Sequence, residues 1–118
     1  MLKKNCTLEL DGNREELTVI LRGEIDHYTA AWVRSEIDAS ISELRPKRTV
    51  FVLSEIDFMD SSGIGLIMGR YAKMQNIGGT LAVRDPSDRV ERIFKLAGLE
   101  RIVSIENGET EDSSNEEK

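Results

Sequence analysis

The sequence predicts a single α/β domain built on a mixed, mostly parallel β-sheet with helices packed on it. Three observations predict it. Strand-like and helix-like hydrophobic periods alternate along the chain, in the order β-β-α-β-α-β-α-β. The chain has 118 residues, one domain's worth. It is 39% hydrophobic and 32% charged, which suits a globular domain with its own core rather than a disordered chain.

Residues 7–10, TLEL, and 17–22, LTVILR, read as strands, with Asp11, Gly12 and Asn13 as a turn signal between them. A hairpin pairs antiparallel, so the sheet must be mixed. Ala30, Val33, Ile37, Ile41 and Leu44 then fall at spacings of three and four, the stripe of a helix. Thr29 is the expected N-cap, and Pro46 the stop. Residues 49–53, TVFVL, form a continuous apolar run, which suits a strand covered on both faces. Ile64, Ile67, Met68, Tyr71 and Met74 make a second stripe, closed by Gly78 and Gly79. Residues 80–84, TLAVR, read as a strand. Asp85 and Pro86 read as a cap with proline at the first helical position. Val90, Ile93, Phe94 and Ala97 form the third stripe, ended by Gly98, and residues 101–105, RIVSI, the last strand. The domain is expected to span residues 1–106. Residues 107–118, NGETEDSSNEEK, hold five acids, one lysine and no large apolar side chain. They read as an acidic disordered tail that cannot offset its ordering entropy.

Composition excludes several functions. The net charge is −6, and the tail supplies −4 of it. The body has no basic excess, against nucleic acid as a partner. A single cysteine, Cys6, allows no internal disulfide and no CxxC motif. One histidine, His27, leaves too few soft ligands for an all-protein zinc site, and no cofactor is expected. No apolar run approaches the roughly 18 residues that cross a bilayer. The start, MLKKNCTLEL, has no apolar segment of signal-peptide length, so no membrane association is expected and the expected compartment is the cytoplasm.

In an open α/β sheet, sites gather where strands lead into helices at their carboxyl ends. Two loops stand out: Gly23 to Thr29, and Ser54 to Gly65. Parallel strands bring them to one end of the sheet, with Asp26 and His27 near Asp60, Ser61 and Ser62. Asp60-Ser61-Ser62-Gly63 is a good helix cap, and a cap needs no function. Helix starts also attract anions. Gly63, Gly65 and Gly69 crowd the first two turns, although each glycine inside a helix costs about 1 kcal/mol relative to alanine. Tight packing on the sheet or close approach of a partner would explain them. Ile56, Phe58 and Met59 alternate with Glu55, Asp57 and Asp60. Either Phe58 and Met59 are core plugs beside solvated acids, or the stretch is a docking edge with apolar anchors rimmed by charge. In the docking case Ile56, Asp57, Phe58 and Met59 meet the partner, with His27 and Tyr28 from the first loop and Ile64 and Gly65 from the helix start.

Enzyme motifs fail. There is no GxxxxGK[ST], Met68 breaks GxGxxG, and Met59 breaks the GxSxG nucleophile elbow. A Ser-His-Asp triad would need His27 as its base with Ser61 or Ser62, a small serine hydrolase without its elbow. No catalytic set stands out, so the chain reads as a binder rather than an enzyme.

The strings Phe58-Met59-Asp60-Ser61-Ser62-Gly63-Ile64-Gly65, Gly69-Arg70-Tyr71 and Ile77-Gly78-Gly79, with Gly23-Glu24-Ile25-Asp26-His27-Tyr28-Thr29-Ala30 and Ala97-Gly98-Leu99, resemble the STAS-domain anti-sigma factor antagonists. The resemblance covers about residues 5–106 and is greatest to the sporulation branch, the anti-sigma F factor antagonists. It implies a STAS-like fold and a partner-switching role. The unphosphorylated protein would bind an anti-sigma factor serine kinase and free a sigma factor. The kinase, using its own ATP, would phosphorylate the antagonist and end binding, and a serine phosphatase would restore it. The family's acceptor serine aligns with Ser61. Asp26 and Asp60 align with its acidic neighbours, beside Ser62 and Gly63. Physics alone does not choose between Ser61 and Ser62. Tyr28 stands where the family carries a second loop histidine. A stand-alone STAS module of a stress or lipid-transport complex is the alternative that the resemblance leaves open.

Overall fold

The computed structural model describes residues 6–108. The elements are β1 (Cys6–Gly12), β2 (Glu16–Ile25), α1 (His27–Leu44), β3 (Arg48–Met59), α2 (Ser61–Asn76), β4 (Thr80–Arg84), α3 (Asp88–Ala97), a 3-10 turn (Leu99–Arg101) and β5 (Ser104–Glu106). β1 pairs antiparallel with β2 and every other pair is parallel, in the order β1-β2-β3-β4-β5. From β2 to β5 the chain advances one strand at a time in one direction. Right-handed crossovers then place all three helices on the same face. The core agrees: Val33, Ile37, Ile41, Leu66, Ile67, Met74, Val90 and Phe94 join Val19, Phe51, Leu53 and Val83 in one buried cluster.

β3 is buried on both faces across Thr49, Val50 and Phe51, as its apolar run predicts, although helices cover only one of them. Val50 is fully buried, yet it lies outside that cluster, on the face without helices. Its neighbours in register are Thr18 and Ala82. That face carries an ion-pair network. Arg48 Nη1 and Nη2 donate to the two Glu106 carboxylate oxygens, both at 2.8 Å, and Arg48 Nε donates to Glu16 at 3.2 Å. The paired guanidinium holds the Glu106 carboxyl below its ordinary range, and the carboxylate raises Arg48.

Both strands entering the site are longer than expected. β2 runs on through Gly23–Ile25, and β3 through Ser54–Met59. β3 hides its strand period because it carries two bulges. Ile20 pairs with Val52 but Arg22 with Glu55, and Gly23 pairs with Ile56 but Glu24 with Phe58. Each shift adds one residue to β3, so its inward positions become Leu53, Ile56 and Met59, three apart.

Four boundaries also differ. Thr29 is not the N-cap of α1; Asp26 is, because its carboxylate accepts from Thr29 N at 3.0 Å while Thr29 Oγ1 accepts from Asp26 N at 2.8 Å. Asp85 takes φ 51° and Pro86 precedes the helix, while Ser87 caps α3 by accepting from Val90 N. The last strand begins at Ser104 rather than residue 101. The 3-10 turn uses the earlier residues, and parallel pairing starts with Ala82 opposite Ser104. Gly108 N donates to Asp85 Oδ1 at 3.0 Å, so the domain holds the chain beyond residue 106. The rest of the expected acidic tail, 109–118, lies outside the described residues.

Candidate functional site: a helix-start docking surface

The site grows from the ends of β2 and β3. Ile25 pairs with Met59, and Asp60 N donates to Ile25 O at 3.2 Å. The next residues, Asp26 and Asp60, are therefore neighbours, and each caps one of two adjacent helices. Asp60 Oδ1 accepts from Ser62 N at 2.8 Å. Asp26 titrates below its ordinary range, chiefly because Thr29 N donates to its carboxylate. Monotonic strand order leaves no switch-point crevice here. The helix starts form an open surface instead.

The two serines differ. Ser61 is exposed at the first position of α2, and its hydroxyl makes no hydrogen bond among the described residues. Ser62 is half-buried and lines a groove between α1 and α2. Neither serine caps α2, because Asp60 does. His27 is exposed, and its ring meets the Tyr28 ring edge-on at 5.5 Å. His27 hydrogen-bonds neither serine among the described residues, and Asp26 is committed to the cap. The hydrolase alternative thus lacks a base in contact with its nucleophile. No group of three or more His, Cys, Asp and Glu converges as a metal site would among the described residues.

The other candidates divide by exposure. Tyr28 is 80% exposed and Phe58 44%, beside exposed Asp57 and Gly65 and half-buried Ile64. Ile56 and Met59 are only 2% and 3% exposed. The bulges turn both side chains into the core, so they leave the docking set. Gly63 is the tightly packed glycine: a Cβ there would collide with the Met59 side chain, Sδ at 2.7 Å. At Gly65 and Gly69 a Cβ would meet nothing within 4 Å, so sheet packing does not explain them.

The chain matches the STAS domain family model over residues 7–114. It belongs to the STAS-domain family. It is 38% identical over 105 residues to an anti-sigma F factor antagonist of Paenibacillus polymyxa, covering 89% of this chain and 90% of that protein. It is 29% identical over 101 residues to an anti-sigma-B factor antagonist of Bacillus subtilis, covering 86% and 91%. Among solved structures it superposes on the anti-sigma factor antagonist SpoIIAA in its unphosphorylated form, with TM-score 0.77 at 26% identity over 95% of this chain and 98% of that one. The phosphorylated form of SpoIIAA from Bacillus gives TM-score 0.72 at 25% identity, covering 95% and 100%. The five-stranded mixed sheet with three helices is that fold.

This STAS domain brings residues to the site that sequence reasoning missed. Ser87 Oγ donates to Ile56 O at 3.1 Å and Arg89 Nη1 to Asp57 O at 3.1 Å, so the cap and first turn of α3 brace the bulged end of β3. Arg34 and Arg70 line the α1–α2 groove. Arg70 sits four residues after Leu66, and that inward spacing was the one available signal. Arg34 follows the buried Val33 on an exposed turn and gave none.

Proposed function

We propose that the chain is a cytoplasmic anti-sigma factor antagonist of the sporulation type, a binder and phosphorylation substrate rather than an enzyme. Its unphosphorylated form docks on an anti-sigma factor serine kinase and frees a sigma factor. Phosphorylation of Ser61 with the kinase's ATP ends docking, and a serine phosphatase reverses it. The chain needs no cofactor of its own. The observation that carries this reading is the state of the Ser61 hydroxyl: exposed, without a hydrogen bond among the described residues, at the start of the helix that Asp60 caps, next to the helix that Asp26 caps. The antagonist relatives, one of them solved in both phosphorylation states, support it. A helix N-terminus tolerates phosphate, so the fold need not change. The phosphate adds about −1.5 to −2 charges to a surface already holding Asp26, Asp57 and Asp60. Like charges at an interface cost several kcal/mol, and a hundredfold loss of affinity needs only about 2.7 kcal/mol. The test is incubation with the cognate kinase and ATP, followed by site mapping. Phosphate on Ser61, with loss of binding, is expected. Phosphate on Ser62 overturns the assignment of the site; no phosphate, with binding unchanged by ATP, overturns the switch.

A further inference from the structure

The first turns of α1 and α2 flank a groove of about 390 Å³. The α1 wall carries Ala30, Ala31 and Arg34, and the α2 wall Gly65, Gly69 and Arg70. No carboxylate lines it. Arg70 is only 7% exposed. Its Nη1 donates to Leu66 O at 3.1 Å, and its Nε lies 2.8 Å from Asp38 Oδ1 outside hydrogen-bond alignment. Arg34 is exposed and forms no ion pair among the described residues. Burial lowers the Arg70 pKa first; Asp38 opposes this, and the Arg34 charge lowers it further. Two guanidinium groups therefore line one groove, and the one carboxylate beside them, Asp38, reaches Arg70 from outside the lining. Gly65 and Gly69 lie one turn apart with open space where side chains would stand. Their helix-propensity cost gains the fold no packing. It leaves room for a partner's main chain beside the arginines. Across the helix starts, the other half of the surface is acidic, with Asp26, Asp57 and Asp60 around Tyr28 and Phe58.

We propose that the α1–α2 groove is a docking slot for an acidic segment of the protein partner, with one Asp or Glu side chain of that segment seated between Arg34 and Arg70. The identity of the partner rests on the function proposed above; the chemistry of the slot does not. Arginine binds carboxylates bidentately, and a second guanidinium behind the first favours an added negative charge. The surface thus has two halves of opposite sign, and a partner must present acid to the groove and base to the Asp rim. Such complementarity fixes orientation as well as affinity.

Two measurements test it. In the first, a hexaglutamate peptide is titrated into the 15N-labelled chain, with inorganic phosphate in a parallel arm. Peptide-induced amide shifts at Ala30, Ala31, Gly65 and Gly69, abolished in Arg34→Glu, are expected. No shift at these residues, or shifts that survive Arg34→Glu, overturns the slot. Phosphate acting at lower concentration than peptide marks a small-anion site and overturns docking. In the second, affinity for the cognate anti-sigma factor is compared at low and high salt. About tenfold loss for Arg34→Ala and a hundredfold or more for Arg34→Glu are expected, with unchanged melting temperature because Arg34 is exposed. Wild-type affinity in Arg34→Glu overturns the proposal. If the wild-type chain fails to bind the anti-sigma factor while the peptide shifts persist, the proposed function fails and the slot stands.

Discussion

Ile25 and Met59 face each other at the last paired positions of β2 and β3, and the strands then release Asp26 and Asp60 side by side. That single register places two capped helix starts next to one another. It also sets an exposed serine and an exposed histidine at the first positions of the two helices. The bulges in β3 make the register possible. Without two added residues, Met59 would not reach Ile25 with its side chain in the core.

Asp26 holds α1 through both bonds of its capping box. Asp26→Ala should cost about 1 kcal/mol, the usual value of a lost N-cap. For a domain of this size the melting temperature should fall by about 4 °C. Thermal unfolding followed by circular dichroism measures it, and an unchanged midpoint would show that the box contributes nothing.

Stability should also fall on the acid side. Asp26 and Glu106 both titrate below their ordinary values of 3.8 and 4.5, Asp26 through the Thr29 amide and Glu106 through Arg48. Between the folded and unfolded pKa values the unfolded chain binds more protons, so stability rises with pH there. The contribution is complete above about pH 5 and is lost as pH falls through the folded values. Denaturant midpoints measured from pH 7 to pH 3 should show this, and Glu106→Gln should flatten the slope.

The glycines at the α2 start should respond in opposite directions. Gly63→Ala drives a Cβ into buried Met59 and should destabilise by about 1–3 kcal/mol, as overpacking does. Gly65→Ala meets open space and should stabilise by up to about 1 kcal/mol through helix propensity. Urea midpoints of the two variants decide it. Equal effects would mean that packing at Met59 has relaxed.

Element order was legible because apolar residues recur at helical spacing and each run ends at Pro46, Gly78 or Gly98, although α2 buries Leu66, which its expected stripe omitted, more deeply than Ile64, Met68 and Tyr71, and Ala97 of the third stripe is exposed. The bulged end of β3 was not. A strand whose inward residues fall at Leu53, Ile56 and Met59 mimics neither a strand period nor a loop, and pairing with β2 alone decides it. For the same reason the sequence left core plug and docking anchor both open here, and the bulged register makes Ile56 and Met59 core. The Asp60 cap and the exposure of Ser61 and Tyr28 were legible because caps and loop tips are local. Arg34 and Arg70 were not, since their meeting depends on how α1 packs beside α2.

The last prediction concerns the charge at Ser61. Ser61→Ala should bind the anti-sigma factor with wild-type affinity, because the hydroxyl makes no hydrogen bond among the described residues that its loss would break. It should stay bound in the presence of ATP, since the acceptor is gone. Ser61→Asp should bind at least tenfold more weakly, yet less weakly than the phosphorylated chain. One carboxylate adds a single negative charge where phosphate adds about 1.5 to 2. Ser62→Ala should still be switched by ATP, because Asp60 rather than Ser62 caps α2. Affinities measured by calorimetry with and without ATP separate these outcomes. A Ser61→Asp affinity equal to wild type would show that added charge at this position does not control docking, and the electrostatic account of the switch would fail even if Ser61 is the residue modified.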